Sequence, residues 1–461
     1  MTSSSDQELR VAIVGAGPAG FYAAGHVLAA QRPVRVDLFD RLPTPFGLVR
    51  AGVAPDHPKI KSVVRVYEKT AAKEGFRFFG GVELGRDLHR ADLLERYQAV
   101  IYAIGAAIDR RLGIPGEDLP GSEAATDFVG WYNGHPDYPD REFDLNCERV
   151  VVVGNGNVAL DCARMLALSA EELRMTDCAD HAIDLLASDA VKEIVILGRR
   201  GPAQASFTNP ELLELGELEL ADVIVDPADV ELDEASQAWL DSDEANKTSR
   251  ENVRILREYA RREPTGKPKR IVLRFLTSPV ELQGDERVER IVVERNRLEP
   301  RDDGSLAAQP TGERETLDCG LVLRSIGYKG IAIPEVPFDD RRGTIPNVAG
   351  RVVDGEHHAT GEYVTGWIRR GPSGVIGTNK KDGQEAASSL LEDAEAGLLN
   401  APVNDGDIAD LLAERGVEPI SWEGWERIDA HEQDLGGGTR PRVKLTRYEL
   451  LHGAARGEKA S

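Results

Sequence analysis

The chain has 461 residues, an ordinary apolar content of 41% and a formal net charge of −23. This length allows two or three domains, and the acidic charge argues against nonspecific binding to nucleic acid. No apolar run approaches the roughly 20 residues that a membrane helix needs, and the polar start lacks a signal-peptide layout, so we expect a cytoplasmic protein without membrane insertion.

A glycine-rich turn follows the first predicted strand. The apolar run Leu9–Val14 leads into Gly15-Ala16-Gly17-Pro18-Ala19-Gly20, and a helical pattern follows. Small residues at such a turn let the backbone approach a pyrophosphate, which then lies against the helix N-terminus. The turn therefore predicts a first dinucleotide-binding unit, with Gly15, Gly17 and Gly20 as candidate binding residues.

The second predicted strand, Val34–Asp40, ends in a carboxylate. Asp40 lies twenty residues after Gly20, which is the spacing at which an acid accepts hydrogen bonds from a ribose 2′-hydroxyl. The site therefore favours an adenosine with a free ribose, as in FAD or NAD, and a solvated strand-end aspartate is the alternative.

After this strand, the sequence predicts a Pro- and Gly-rich loop, a helix over 59–73, a short strand over 76–79 and a buried strand, Ala99–Ile104.

A second glycine-rich turn, Gly154-Asn155-Gly156-Asn157-Val158-Ala159, follows the apolar run Val150–Val153. The next strand, Glu193–Leu197, ends in Gly198-Arg199-Arg200-Gly201, where an NAD site would have an acid. Two guanidinium groups offer paired donors to a phosphate dianion. Arg199 and Arg200 therefore predict a 2′-phosphate, as in NADP, and two solvated loop arginines are the alternative. The spacing is long because Ser169–Asp189 predicts an inserted helical segment.

The rest of the chain predicts the division into domains. Three more strands are predicted in the second unit, and the endings Ala103-Ile104-Gly105 and Ser325-Ile326-Gly327 resemble each other, as an internal duplication predicts. We expect an α/β fold with two Rossmann-like dinucleotide-binding domains, of which the first is discontinuous. The predicted segments are 1–108 and 331–461 for the first domain and 109–330 for the second. Residues 380–398 predict a helix, whereas 400–461 form a polar extension to which no role is assigned.

A third glycine-rich stretch, Gly371-Pro372-Ser373-Gly374-Val375-Ile376-Gly377-Thr378, follows Gly366-Trp367. It predicts another helix N-terminus, which would stabilise negative charge on a reduced flavin. Trp367 is then a candidate to stack near the isoalloxazine ring, and a core tryptophan is the alternative. Two dinucleotides on one chain indicate hydride exchange between a nicotinamide and a flavin.

The cysteines restrict this chemistry further. The chain has four cysteines, at positions 147, 162, 178 and 319, and no C-x-x-C pair. This pattern excludes an iron–sulfur cluster held by this chain and the flavoenzymes that reduce disulfides. We expect the four cysteines to be buried, reduced core residues, and we expect no metal site.

Several long strings of sequence resemble one family, the adrenodoxin-reductase-like ferredoxin–NADP+ reductases. The resemblance covers nearly the whole chain up to about residue 390. The strings that carry it are Pro45-Phe46-Gly47-Leu48-Val49-Arg50, Gly52-Val53-Ala54-Pro55-Asp56-His57-Pro58, Phe128-Val129-Gly130-Trp131-Tyr132-Asn133-Gly134, the second glycine-rich turn with Leu160-Asp161, and Gly198-Arg199-Arg200-Gly201-Pro202. The resemblance implies FAD in the first domain, NADP(H) in the second and a ferredoxin-type iron–sulfur protein as partner.

The resemblance also implies the site residues. FAD contacts are implied for Ala16, Ala19, Asp40, Leu48, Leu84, Trp367, Gly374, Val375 and Ile376. NADP(H) contacts are implied for Asn155, Gly156, Asn157, Val158, Arg199, Arg200, Glu211, Gly374 and, as a weaker match, Arg110. His57 and Asp161 match a pair near the flavin, with an orienting or proton-conducting role, and a structural cap is the alternative for His57. The chain departs from the family in having Asp40 where Glu is commoner and acidic residues over 212–217.

A candidate docking face for the partner follows from charge spacing. Five basic residues recur at helical spacing and fall on one face of a helix: Lys247, Arg250, Arg254, Arg257 and Arg261. In an acidic chain, such a basic face would attract an acidic ferredoxin, and an ordinary solvated helix face is the alternative.

Other functions remain open from the sequence. With the same cofactors, the chain would suit the electron-input subunit of a larger complex, as in the small subunit of glutamate synthase, although the cysteine-rich cluster domain usual there is missing. An NADPH-dependent monooxygenase and a flavin- and NADP-sensing protein without turnover are further alternatives. The sequence does not identify the acceptor, the direction of electron flow or the oligomeric state.

Overall fold

The computed structural model describes residues 8–302 and 305–458 of the chain. The described residues form two compact units, one containing residues 8–108 and 328–458 and the other containing Asp109–Gly327. The second boundary therefore falls three residues before the position proposed from the sequence. We call these unit 1 and unit 2.

The helices and strands are as follows, in chain order. The first segment contains β1 (Leu9–Val14), α1 (Pro18–Val27), β2 (Val34–Asp40), α2 (Leu48–Ala51), α3 (Pro58–Lys61), α4 (Val64–Ala71), β3 (Phe76–Gly80), α5 (Arg90–Arg96), β4 (Ala99–Tyr102) and β5 (Ile108–Asp109). Unit 2 continues with β6 (Ser122–Ala124), α6 (Ala125–Tyr132), β7 (Arg149–Val153), α7 (Asn157–Met165), α8 (Ala170–Arg174), α9 (Asp180–Ala187), β8 (Glu193–Leu197), α10 (Asn209–Leu215), β9 (Ala221–Val225), α11 (Glu234–Asp241), α12 (Lys247–Tyr259), β10 (Lys269–Arg274), β11 (Thr277–Gln283), β12 (Arg290–Pro300), β13 (Leu306–Asp318) and β14 (Leu321–Arg324), with short 3₁₀ turns at Pro202–Gln204 and Pro227–Val230. The last segment contains β15 (Tyr328–Lys329), β16 (Asn347–Val348), β17 (Arg351–Asp354), β18 (His357–Val364), α13 (Trp367–Arg370), α14 (Ile376–Glu395), α15 (Ile408–Glu414), α16 (Trp422–Gly436) and α17 (Tyr448–Ala455).

Unit 1 is built on a seven-stranded sheet with the order β16-β17-β18-β4-β1-β2-β3. The strands from β18 to β3 are parallel, and β17 and β16 extend the sheet in antiparallel fashion. Successive side chains of β1 serve opposite layers: Val11 and Ile13 belong to one apolar cluster, Ala12 and Val14 to another. A central parallel strand covered on both faces must be apolar throughout, which explains the uninterrupted apolar run at the start of the chain.

Unit 2 contains a six-stranded parallel sheet with the order β6-β14-β7-β8-β10-β9. A separate antiparallel sheet, β11-β12-β13, packs within the same unit. The sequence indicated only the first residues of β12 and gave no signal for this meander. Its outer strand β13 is mostly exposed, so it lacks the apolar alternation that marks a strand.

One prediction for unit 1 was wrong. The helix expected over 59–73 is broken into α3 and α4 by a turn at Ser62–Val63. The polar extension over 400–461, to which the sequence assigned no role, contains α15, α16 and α17, whose apolar side chains join the clusters of unit 1. Trp425 and Ile428 of α16 and Leu451 of α17 join the same cluster as Val11. Their apolar residues are widely spaced among charged ones, which hid this core contribution.

Among the described residues, none of the helices combines the length and apolar character required to cross a lipid bilayer.

Candidate functional site

The first glycine turn connects β1 to α1 in a conformation that requires glycine. Gly15 has φ +110°, and a Cβ there would lie 2.4 Å from the carbonyl oxygen of Ala103 at the end of β4. A Cβ on Gly20 would lie 2.0 Å from the Gly15 carbonyl oxygen. Only glycine permits both approaches, so these two residues hold strand, turn and helix together.

Gly17, between them, has a different role. A Cβ at Gly17 would meet nothing within 4 Å, so the space beside the turn is open. Gly17 is also the N-cap of α1 and gives its first turn no side-chain hydrogen bond, while Pro18 occupies the first helical position. Free backbone N–H groups facing open space fit an anionic pyrophosphate.

Asp40 lies directly against this turn. One carboxylate oxygen accepts a hydrogen bond from the Ala16 N–H at 2.7 Å, and the other accepts one from the Leu42 N–H at 2.9 Å. Burial raises the pKa of Asp40, and these two hydrogen bonds and Arg41 oppose the rise. Each carboxylate oxygen retains a lone pair that can accept a ribose hydroxyl.

The loop after β2 closes over the same turn. The Phe46 N–H donates to the Ala16 carbonyl at 2.8 Å, and a Cβ on Gly47 would lie 3.0 Å from the Gly17 Cα. Leu48 follows with 45% of its surface exposed. The structure therefore brings together the glycine turn, Asp40 and Leu48, whereas Leu84 lies in the loop after β3 and is half-buried.

Trp367 begins α13 beside α1. A Cβ on Gly366 would lie 2.7 Å from the Ala19 Cβ, which fixes this close approach. The Trp367 ring lies 5.5 Å from the Tyr328 ring, and its buried Nε1 has no hydrogen-bond partner in the part of the chain that the structure describes. A buried N–H donor without a partner is costly in a core tryptophan and suits a ring that contacts a polar ligand.

The third glycine-rich stretch does end at a helix N-terminus, as predicted. Gly374 has φ +82°, Val375 is the N-cap with 57% of its surface exposed, and Ile376 begins the 20-residue helix α14. Gly383 of α14 packs against α1, where a Cβ would lie 2.9 Å from the Ala23 nitrogen. Helices α1 and α14 therefore form one packed pair.

The glycine turn of unit 2 repeats the geometry of the first. Gly154 has φ +135°, and a Cβ there would lie 2.0 Å from the carbonyl oxygen of Ser325 at the end of β14. Gly156 is the N-cap of α7, gives no side-chain hydrogen bond and faces open space. Asn155 and Asn157 hold the loop after β8, because the Asn155 carbonyl accepts from the Ser206 N–H at 3.0 Å and Asn157 Oδ1 accepts from the Thr208 N–H at 2.8 Å. Val158 is half-buried in the first turn of α7.

Arg199 and Arg200 follow β8 with their backbone fixed. The Arg199 carbonyl accepts from Asn296 Nδ2 at 2.9 Å, and the Arg200 carbonyl accepts from the Leu276 N–H at 3.1 Å. Neither guanidinium makes an ion pair within residues 8–302 and 305–458. Burial lowers the pKa of Arg200, and the charges of Arg199 and Arg301 lower it further. Cations held close together without a counter-charge suit a phosphate dianion.

Glu211 and Asp161 are joined by a residue that the sequence did not indicate. The buried side chain of Arg164 donates from Nη2 to Asp161 at 2.8 Å and from Nη1 to Glu211 at 3.3 Å. The pair of α7 and α10 thereby presents both acids in fixed positions. Arg110 lies beside the segment that follows β14, where its N–H donates to the Gly327 carbonyl at 3.1 Å.

His57, the other residue of the predicted pair, belongs to unit 1. It is buried at the N-cap of α3, but its side chain makes no capping hydrogen bond to that helix, so the alternative of a structural cap is not supported. Its Nε2 lies 3.8 Å from an Asp56 carboxylate oxygen. The pairing of His57 with Asp161 stays a prediction.

Comparison with known proteins decides the family. Residues 9–196 match the model of the pyridine nucleotide-disulphide oxidoreductases. The NADPH-ferredoxin reductase FprA of Mycobacterium leprae is 51% identical over 454 residues, which cover 96% of this chain and 97% of the relative. The chain belongs to the NADPH-ferredoxin reductase family.

Other members of this family include more distant eukaryotic proteins. The human mitochondrial NADPH:adrenodoxin oxidoreductase is 42% identical over 96% of this chain and 91% of its own length. The structure of Mycobacterium tuberculosis FprA in complex with NADPH matches with a TM-score of 0.92 and 48% identity, over 98% of this chain and 100% of that one. The resemblance and the fold class inferred from the sequence are confirmed.

In this member of the NADPH-ferredoxin reductase family, the predicted basic face carries less unpaired positive charge than the sequence suggested. Its five residues do lie on or just beyond α12, but Arg254 pairs with Glu251 at 2.7 Å and Glu258 at 3.4 Å. Arg250 donates to the carbonyls of Leu240 and Ser242. The interleaved acids reduce the positive charge that a count of basic residues suggested. Lys247, Arg250 and Arg261 are exposed and make no ion pair among the described residues.

Proposed function

We propose that the protein is an FAD-dependent ferredoxin–NADP+ reductase that moves electrons between NADPH and a ferredoxin-type iron–sulfur protein. One observation carries this proposal: two glycine turns of the same geometry differ in the charge beside them. Asp40 lies against the first turn, whereas Arg199 and Arg200, which make no ion pair in the described part of the chain, follow the corresponding strand of the second unit. The relatives are named as NADPH-ferredoxin and NADPH:adrenodoxin oxidoreductases, which supports an NADPH site on this chain.

We assign FAD to unit 1. The backbone N–H groups of Gly17 and Ala19 would hold its pyrophosphate, since those of Gly15 and Ala16 already donate to Phe39 and Asp40. Asp40 would accept hydrogen bonds from the ribose. Leu48, Leu84 and Trp367 would contact the flavin, whose ring Trp367 Nε1 can reach as a donor. The backbone of Gly374, Val375 and Ile376 would place the positive end of α14 near the pyrimidine side, where it stabilises negative charge.

We assign NADP(H) to unit 2. The turn from Asn155 to Val158 would hold its pyrophosphate, and Arg199 and Arg200 would bind its 2′-phosphate. These guanidinium groups anchor the coenzyme far from the reacting carbon, so their binding energy orients the nicotinamide for transfer. Glu211 and Arg110 complete the proposed contacts in this unit, with Glu211 held in place by Arg164.

The bound pair of cofactors supplies hydride transfer between nicotinamide and flavin and single-electron transfer to the iron–sulfur protein. The chain's residues supply binding, orientation and charge. We propose that His57 and Asp161 orient the reacting groups or conduct a proton, because hydride transfer itself needs no protein acid or base. Asp161 is suited to an orienting role, since its carboxylate is held by the buried Arg164.

We propose α12 as the docking region for the acidic partner. Lys247 and Arg261, at its two ends, are exposed, and Arg250 and Arg257 keep their charge while donating to backbone carbonyls. Opposite charge speeds encounter with an acidic ferredoxin more than it raises affinity.

The function is tested on the purified protein. We expect a flavin absorbance spectrum that NADPH bleaches under anaerobic conditions and NADH bleaches poorly, followed by cytochrome c reduction that depends on added ferredoxin. A protein that cannot be loaded with flavin, or a flavin that NADPH leaves oxidised, would contradict the proposal and favour a sensor without turnover.

A further inference from the structure

The antiparallel hairpin of β12 and β13 is attached to the backbone that carries Arg199 and Arg200. Asn296 of β12 donates from Nδ2 to the Arg199 carbonyl at 2.9 Å and from its N–H to the Leu276 carbonyl at 2.7 Å. Leu276 in turn donates to the Arg200 carbonyl at 3.1 Å. The hairpin and the arginine pair are thus held in one hydrogen-bonded unit.

The same strand continues past Gly201 towards its end. Leu298 Cδ1 lies 3.6 Å from the position that a Cβ on Gly201 would occupy. Strand β12 ends two residues later at Pro300, which pairs with Leu306 of β13. Arg301 is the next residue, and its N–H donates to the Ser305 carbonyl at 2.8 Å, so its backbone is fixed at the hairpin end.

The Arg301 side chain is exposed and makes no ion pair with any residue that the structure describes. Its charge acts on Arg200: burial lowers the pKa of Arg200, and the neighbouring Arg199 and Arg301 guanidinium groups lower it further. Arg297, on the same hairpin, differs, because its Nε donates to Glu299 at 2.8 Å. Arg297 is therefore paired within the hairpin, whereas Arg301 has no such pair over residues 8–302 and 305–458.

Arg199 and Arg301 both act on Arg200 as like charges, and like charges repel one another unless an anion lies between them. Arginine donors match the geometry of phosphate oxygens, and a phosphate dianion has enough oxygens to accept from three of them.

We propose that Arg301 supplies a third guanidinium group to the 2′-phosphate of NADP(H) and is a determinant of coenzyme specificity. The inference rests on the proposed function, because it concerns the same phosphate site in unit 2. The hairpin gives this site a residue from outside the Rossmann-like sheet, so coenzyme preference would depend on β12 and β13 as well as on the end of β8.

The test is equilibrium binding of NADP+ and NAD+ to the oxidised, FAD-loaded protein, measured by titration calorimetry. Arg301→Gln should weaken NADP+ binding about tenfold, the loss of one charge-assisted hydrogen bond, and leave NAD+ binding unchanged. Arg301→Lys keeps the positive charge but lacks the paired donors of a guanidinium group. Its NADP+ affinity should lie between those of wild type and Arg301→Gln. Arg297→Gln is the matched control and should match wild type for both ligands.

The outcomes separate this inference from the proposed function. A wild-type protein that prefers NADP+ and an Arg301→Gln variant that behaves like Arg297→Gln would overturn the role of Arg301 alone. Equal losses of NADP+ and NAD+ affinity in Arg301→Gln would also overturn it. A wild-type protein without preference for NADP+ would overturn the proposed function and this inference together. Thermal unfolding of each variant should match wild type, because both side chains are exposed.

Discussion

Arg50 donates two hydrogen bonds to Glu432, a residue 382 positions later whose side chain is fully buried. Glu432 also accepts a hydrogen bond from the Leu445 N–H at 2.9 Å, and the Arg50 guanidinium lies 5.2 Å from the centre of the Trp425 ring. Because Arg50 lies in α2, directly after the loop that hydrogen-bonds the first glycine turn, helix α16 holds the proposed flavin loop in place.

Substituting Glu432 therefore affects both stability and flavin binding. Glu432→Gln leaves the Arg50 charge buried without its partner, and we expect the free energy of unfolding to fall by about 3 kcal/mol. FAD affinity should fall as well, because the loop of Phe46–Arg50 loses its anchor. Denaturant unfolding and FAD titration of the apoprotein measure the two effects.

The matched control is Glu458→Gln, which breaks an exposed ion pair with Arg456 in the same C-terminal region. This variant should keep wild-type stability and flavin affinity. Equal behaviour of the two variants would contradict an anchoring role for Glu432.

The charge of Glu432 also predicts a pH dependence. Burial would raise its pKa, but attraction to Arg50 and Arg442 and the hydrogen bonds from Arg50 and the Leu445 N–H outweigh burial and lower it. A lowered pKa stabilises the folded state above the unfolded-state value of about 4.3 and loses this contribution as the pH falls through the folded-state value. The stability difference between wild type and Glu432→Gln should therefore stay constant above about pH 6 and shrink below about pH 4. A difference that persists undiminished at acidic pH would contradict this assignment.

Substitutions of the two glycines in the second turn should have different effects, one on stability and the other on coenzyme binding. Gly154→Ala would place a Cβ 2.0 Å from the Ser325 carbonyl oxygen at a φ of +135°, so we expect a large loss of thermal stability. Gly156→Ala meets open space and should fold like wild type, but its methyl group would fill the space proposed for the pyrophosphate. NADP+ binding to Gly156→Ala should be weakened at least tenfold. Normal NADP+ affinity in a folded Gly156→Ala protein would argue against this turn as the coenzyme site.

Local sequence patterns were sufficient to predict the Rossmann-like units. Gly15 and Gly154 lie in glycine-rich turns directly after an apolar strand, and Asp40 and Arg199 lie at or just after the end of the next predicted strand. Such features depend on short spacing, so they are visible without a structure.

Residues that act across long sequence separations were missed. Glu432, Arg164 and Arg301 look like ordinary surface charges, because an ion pair or a shared phosphate leaves no periodic signal. The basic face of α12 is a related case. The helical spacing of its basic residues was predicted correctly, but their ion pairs with Glu251 and Glu258 were not. The same limit also explains why the sequence assigned no role to the segment that contains the last three helices.

If α12 is the docking region, the rate of ferredoxin reduction and its dependence on ionic strength should change when its exposed cations are reversed. Lys247→Glu combined with Arg261→Glu should slow reduction of an acidic ferredoxin about three- to tenfold at low ionic strength, and the difference should vanish at about 0.5 M salt. Stopped-flow mixing of the reduced protein with ferredoxin measures this rate. Arg297→Glu combined with Arg342→Glu, two exposed positions outside α12, lowers the net charge by the same four units and controls for net charge. Identical salt dependence in all variants would exclude α12 as the docking region.

The central claim is that unit 2 recognises a 2′-phosphate through Arg199 and Arg200 while unit 1 binds FAD. The most direct measurement is kcat/KM for NADPH and for NADH in wild type and in Arg199→Gln combined with Arg200→Gln. We predict that the double variant retains its flavin, loses NADPH efficiency by about 100-fold or more and keeps its NADH efficiency, because two charge-assisted contacts are removed. A double variant that still prefers NADPH as strongly as wild type would contradict the account.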